Sequence, residues 1–326
     1  MPLPRSSLES EPMTEQVLPM AAKDTAQSKT APAADRSGIV LLAPSLVFMT
    51  LVGLFPLLHS IFISFTGYSA TNSFVYQFVG VANYANGLYD PQLWHSLLLT
   101  TTFTVVSVVA SLVLAIALAL LFNMDLPGFF LLRTVVLVPM LVTPIAVGIV
   151  WRVLMNPQQG LLNYLLSLIG VGPWVWVNGS STAFVSVLLV DIWQWTPFVF
   201  IIVLAGLRAL PKSPFEAAAV DGASPWEILR LITLPMLKPV ITIAVLLRLI
   251  DAARTYDTVY LLTRGGPNFA TDLSSIYLQR VNFQFFNFGY GAALSWIYLI
   301  LLSVAVLLYV RWSGFLKVIS DSQNSR

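Results

Sequence analysis

The chain has 326 residues, of which 57% are hydrophobic and 10% charged, with a formal net charge of +2. Soluble domains carry about 25% charged residues, so the composition excludes an ordinary soluble protein and describes one with several membrane spans. Cysteine is absent, which excludes disulfides and thiolate chemistry, and two histidines, His59 and His95, cannot build a metal cluster.

Residues 1–37 are rich in Ser, Ala, Pro, Thr and charge, with no apolar period, and read as a disordered cytoplasmic tail rather than a cleavable leader. Crossing the hydrocarbon core takes roughly 20 apolar residues. Six runs qualify: 39–66, 95–122, 131–151, 182–207, 240–262 and 288–311. The expected architecture is an all-α integral membrane unit of six spans over 38–312, followed by a cytoplasmic tail at 313–326. With the N-terminus inside, twelve of the seventeen lysines and arginines fall in inner segments or at inner span ends, and only Arg152, Arg264 and Arg280 in outer loops. That bias places both termini in the cytoplasm. The outer loops, about 67–94 and 152–181, hold aromatics that suit an interface belt, and 160–169 reads as a short interfacial helix.

Asp191 lies within the fourth run, beside Trp193, Gln194 and Trp195. The one sizeable inner loop follows, at 208–239. Ser213-Pro214-Phe215-Glu216 and Ser224-Pro225-Trp226-Glu227 each place Ser at N-cap, Pro at N1 and Glu at N3, so two capping boxes are expected. Gly222 between them can end the first helix in a left-handed conformation, and Pro235 is expected to stop the second near Leu234. Trp226, Leu229, Ile232 and Thr233 form a stripe on that second helix, which either lies on the bilayer or docks on another protein.

The fifth run carries Arg248, Asp251, Arg254 and Asp257 at three-residue spacing. Such groups are costly in a membrane and face a bundle interior or a wet path. One reading is a self-neutralising ladder along the helix. The other sets Asp251 and Asp257 on a polar path, because short carboxylates cannot reach an interface. Carboxylates and amides beside aromatic faces suit sugar hydroxyls and the apolar C–H face of a sugar ring. Asp191, Trp193, Gln194, Trp195, Asp251, Tyr256 and Asp257 supply that chemistry. The outer loop after the fifth run holds Gly265-Gly266-Pro267 and several phenylalanines.

Glu216-Ala217-Ala218, three residues, Gly222, nine residues, Ile232, one residue and Leu234-Pro235 resemble the EAA loop of binding-protein-dependent ABC import permeases. Phe78 to Tyr84, Asp191 to Phe198, Tyr256-Asp257 and Leu262 to Pro267 resemble the MalF/UgpA-like carbohydrate-permease branch, over about 39–312. The resemblance implies a type I importer permease of MetI-like fold in a bacterial inner membrane. It implies that Glu216, Ala217, Ala218, Asp221, Gly222, Trp226, Ile232, Leu234 and Pro235 form a coupling loop seated on a cytoplasmic ATPase. It implies a midmembrane cargo cavity, and an outer surface at Gly265, Gly266 and Pro267 for an external solute-binding protein. The implied partners are a second, MalG-like permease and two ATPase subunits; no nucleic-acid partner is expected. The chain lacks a G-x-x-x-x-G-K-[ST] phosphate loop, so ATP and Mg are expected on the separate ATPase, with no cofactor and no catalytic site here. The expected cargo is a neutral sugar or polyol, with an sn-glycerol 3-phosphate-type importer as the alternative. An ion-coupled transporter would show an internal repeat, a protease a motif such as H-E-x-x-H or G-x-S-x-G, and neither occurs. A passive channel would leave the capped loop unexplained.

Overall fold

The computed structural model describes residues 36–124 and 128–314. The tails expected at 1–37 and 313–326 lie outside these residues apart from their inner edges. The chain divides into two units, the first ending at Leu54. Its described part is α1 (Arg36–Met49) running into a π-helical turn, Thr50–Leu54. Leu46, Phe48, Met49 and Leu51 are all exposed, as suits a helix that is apolar all round and meets hydrocarbon.

The second unit begins with α2 (Phe55–Ser64), a 3-10 turn (Ala70–Asn72), α3 (Ala82–Leu88) and the long α4 (Pro91–Phe122). Then come α5 (Phe129–Leu141), α6 (Pro144–Leu154), α7 (Leu161–Ser167) and α8 (Ala183–Arg208). The last third holds α9 (Ser213–Val220), α10 (Pro225–Glu227), a π segment (Ile228–Thr233), α11 (Leu234–Ala253), α12 (Asp257–Thr263), α13 (Ser274–Phe283) and α14 (Phe288–Ser313). Among the described residues every regular element is helical, with one isolated antiparallel bridge between Thr66 and Phe78.

Among the described residues five helical stretches are long and apolar enough to cross a membrane, Leu42–Ser64, Pro91–Phe122, Ala183–Arg208, Pro225–Ala253 and Phe288–Ser313, and one bent helix pair makes six if it counts as a single span. The third expected run is not one helix. Leu131–Leu141 and Pro144–Leu154 meet at 97°. Pro144 disfavours the α region for the residue before it, and Thr143 is extended at φ −62°, ψ 142°. The fifth expected run, 240–262, is also broken. The helix ends at Ala253, and α12 restarts at Asp257. Both breaks expose carbonyls that hydrocarbon cannot satisfy, and other elements supply the donors. Gln194 Nε2 donates to Val142 O at 3.2 Å and Thr258 Oγ1 to Pro144 O at 3.3 Å. At the second break, Tyr298 donates to Ala253 O and Ser275 to Thr255 O.

The core centres on α4 against α8. Small buried residues of α4, including Ser107, Ser111, Ala115 and Ala119, let the helices approach closely, as membrane helix pairs require. Phe122, Phe200, Val203 and Leu207 fill one end, and Phe103, Val187 and Val190 the other. At the start of α14, a Cβ on Gly289 would lie 2.0 Å from the Thr66 carbonyl oxygen. Its N–H also donates to Tyr68 O at 2.8 Å. Gly289→Ala is therefore expected to destabilise this contact by about 1–3 kcal/mol, the usual range for overpacking. A thermal melt of the purified protein checks it, and an unchanged midpoint would show that the loop gives way freely.

Candidate functional site

Two helix breaks meet one wall of α8, and a cavity of about 210 Å³ lies between them. It is lined by Pro144, Trp195, Asp251, Arg254, Thr255, Tyr256, Asp257 and Thr258. Pro144 comes from the α5–α6 break, Trp195 from α8, and the rest from the end of α11 and the start of α12. Four of the residues expected on the cargo path, Trp195, Asp251, Tyr256 and Asp257, thus share one cavity.

The other three lie elsewhere. Asp191 is only 3% exposed and ion-paired to Arg248, while Ser107 Oγ donates to the same carboxylate. Gln194 is buried and holds the break at Val142. Trp193 is exposed and meets Trp151 edge-on at 5.2 Å. The ladder expected along the fifth run forms only in part. Arg248 reaches Asp251 at 3.0 Å, but the break after Ala253 takes Asp257 off that stripe. Arg254 makes no ion pair among the described residues and lines the cavity instead. The sequence reading missed Ser107. A hydroxyl at a helix–helix contact gives no signal until its partners are known.

The cavity carries two carboxylates, one unpaired guanidinium, a phenol, an indole and two threonine hydroxyls. Tyr256 stacks on Tyr260 at 5.2 Å, and Trp195 meets Phe198 edge-on at 6.4 Å, so both rings are braced. This set can accept from and donate to hydroxyls while an aromatic face covers C–H groups. Among the described residues no group of three His, Cys, Asp or Glu side chains could hold a metal.

The 208–239 loop departs from expectation at two points. Ser213 lies inside α9, whose N-cap is Lys212 with no side-chain cap bond, so the first capping box does not form. The second does: Glu227 N donates to Ser224 Oγ at 3.3 Å and Ser224 N to Glu227 Oε2 at 2.7 Å. Gly222 is left-handed at φ +73°. Ala223 N bonds Ala218 O at 3.0 Å and Gly222 N bonds Ala219 O at 3.3 Å, which closes α9 in a Schellman cap. Pro235 does not stop the second helix, which continues from Pro225 to Ala253. The π register at Ile228–Thr233 widens the turn before Pro235, where an α turn would bring its ring against the carbonyl four residues back. The widened turn also rearranges the apolar stripe. Thr233 is buried, Leu229 and Ile232 are half-buried, and Trp226 and Leu231 are exposed. Glu216, Ala217, Asp221 and Gly222 are exposed, Ala218 is buried, and Leu234 and Pro235 continue into α11.

At the far end of the helices, the 265–271 loop folds on itself. Gly266 N bonds Thr263 O at 3.0 Å and Ala270 N bonds Pro267 O at 2.9 Å. Gly265 is buried, Gly266 and Pro267 are half-buried, and the exposed tip is Asn268-Phe269. Behind the loop, Asp272 pairs with Arg280 and accepts from Gln92 Nε2 at 2.6 Å. Asp90 caps α4 and accepts from Tyr277 and, at 2.7 Å, from Tyr290. Burial pushes Asp90 up, but the two phenols and the Gln92 N–H outweigh it and hold the carboxyl below its usual range.

The family described as binding-protein-dependent transport system inner membrane component matches residues 79–317. The trehalose/maltose transport system permease protein MalF of Thermococcus litoralis is 39% identical over 73% of this chain and 80% of that protein. The trehalose transport system permease protein SugA of Mycobacterium tuberculosis is 32% identical over 86% and 89%. The sulfoquinovosyl glycerol transport system permease protein SmoG of Agrobacterium fabrum is 31% identical over 84% and 89%. A bacterial ABC transporter involved in alginate import contains a chain of the same fold, at TM-score 0.76 and 21% identity, covering 86% of this chain and 96% of that one. Family match, relatives and helical architecture agree over the same residues, and the chain belongs to the inner membrane components of binding-protein-dependent transport systems.

Proposed function

We propose that the chain is one transmembrane subunit of an ATP-driven importer, and that a neutral sugar or polyol passes through the cavity at Trp195, Asp251, Tyr256 and Asp257. The observation that carries this is the cavity's chemistry: two carboxylates and a braced indole and phenol surround a space where, among the described residues, Arg254 is the one unpaired cation. A phosphate would meet Asp251 and Asp257 there, so an uncharged polyhydroxyl cargo fits better than sn-glycerol 3-phosphate. The relatives named for trehalose and maltose support the same class. At about 210 Å³ the cavity is smaller than the roughly 300–1,000 Å³ of a complete ligand pocket. A second, MalG-like permease facing this wall would complete it.

In this reading both termini are cytoplasmic, and the 208–239 loop seats on one of two ATPase subunits. Those subunits carry ATP and Mg, while this chain has no catalytic site or cofactor of its own. An external solute-binding protein delivers cargo to the face that bears Gly265, Gly266, Pro267 and Phe269. The importer, reconstituted with its binding protein, is expected to take up trehalose or maltose and to refuse sn-glycerol 3-phosphate. Asp257→Ala should raise the apparent KM for that cargo by about tenfold or more, the scale of one charged hydrogen bond. Uptake of the phosphate ester alone would overturn the neutral-cargo reading, and an unchanged KM would remove Asp257 from the path.

A further inference from the structure

We infer that Arg248 is a positioning residue for the cavity, anchored by Asp191 and Ser107 so that Asp251 and Trp195 stand as its fixed walls. This rests on reading the cavity as the cargo site. Arg248 and Asp191 do not themselves line the cavity; they are 0% and 3% exposed. Asp251 and Trp195 do line it, and both touch Arg248.

The guanidinium joins three helices. Nη2 donates to Asp191 on α8 and, at 2.7 Å, to Ser107 on α4. Nη1 donates to Asp251 Oδ2 at 3.0 Å, one turn further along α11. Cζ lies 5.9 Å from the centroid of the Trp195 ring. A guanidinium is planar with its donors in a fixed fork, so anchoring Nη2 sets the direction in which Nη1 points. With Oδ2 of Asp251 held, Oδ1 remains the acceptor free to meet a hydroxyl. The same cation lies over one face of the indole and holds the ring by a cation–π contact.

Helix cohesion alone does not account for the group. Well-packed apolar residues of similar volume join helices as well as a buried ion pair does, and often better. What they cannot do is orient a carboxylate and a ring at one point. The arrangement also commits the positive charge of Arg248 to two carboxylates, so it offers no anion site to cargo.

The test compares wild type with the apolar double variant Asp191→Leu/Arg248→Met and with Arg248→Lys, each in the complete importer in lipid nanodiscs or proteoliposomes. The lysine keeps a charge for Asp191 but lacks the fork that spans to Asp251. One readout needs no cargo: labelling of Asp251 by a water-soluble carbodiimide with glycine ethyl ester, read by mass spectrometry against Asp257 in the same sample. Asp251 labelling is expected to change severalfold in both variants while Asp257 labelling holds. The other readout is trehalose uptake, where the apparent KM should rise about tenfold with maximal rate within about twofold, the signature of a lost binding contribution. Unchanged Asp251 labelling in both variants, or a loss of rate at unchanged KM, would overturn the positioning role. If wild type takes up no trehalose, the sugar reading weakens, but the labelling still decides this inference.

Discussion

Gly222→Pro should abolish ATP-driven uptake while leaving the protein inserted in the membrane. Gly222 sits at φ +73° and closes α9 through its own N–H to Ala219 O at 3.3 Å. Proline holds φ near −65° and has no N–H, so both the bend and the bond are lost. α9 would then leave α10 at a different angle, which moves the exposed Glu216 relative to Trp226 and Leu231. Nothing lies within 4 Å of a Cβ built on Gly222, so Gly222→Ala meets no clash. It pays only the left-handed backbone term, about 1–2 kcal/mol, and should retain part of the uptake. Glu216→Lys tests the same surface without touching the backbone. Glu216 is exposed and forms no ion pair among the described residues, so reversing its charge should spare insertion and stop coupling. The measurement is cargo-stimulated ATPase activity and uptake beside protease protection of the inserted chain. Full transport in Gly222→Pro or Glu216→Lys would refute the coupling assignment.

The second large effect is on stability. Arg248→Met alone leaves Asp191 as an uncompensated buried carboxylate between α4 and α8, a loss of about 3–5 kcal/mol by the precedent of broken buried pairs. Asp191→Leu/Arg248→Met removes both charges and should recover most of that loss. Detergent-solubilised yield and thermal unfolding of the two variants check this. A single variant as stable as wild type would mean that water or lipid headgroups reach the pair. A double variant no better than the single one would mean that the site cannot repack around apolar side chains.

What is legible along the chain depends on the range over which each physical cause acts. Span positions were legible because burial in hydrocarbon demands a long apolar run, and that demand is local. The break at Val142–Thr143 carried a signal in Pro144 that a run-length reading passed over. The break after Ala253 carried none. No glycine or proline marks it, and its freed carbonyls are satisfied by Tyr298 and Ser275, far along the chain. Ser213 and Ser224 head near-identical tetrapeptides, yet only the second forms a capping box. The difference is where each helix begins: α9 already turns at Lys212, which puts Ser213 past the cap.

The membrane class, the polar loop with its left-handed Gly222, and the acidic and aromatic residues gathered near 191–195 and 251–257 are legible along the chain. Each follows from composition or from contacts within a few residues. Which carboxylates face the cavity is set by how the helices pack. Asp191 and Asp257 look equivalent as acidic residues in apolar runs, but Arg248 on another helix claims the first and a helix break exposes the second. Whether a buried charge is paired depends on what another helix brings within about 4 Å. No spacing along the chain records that.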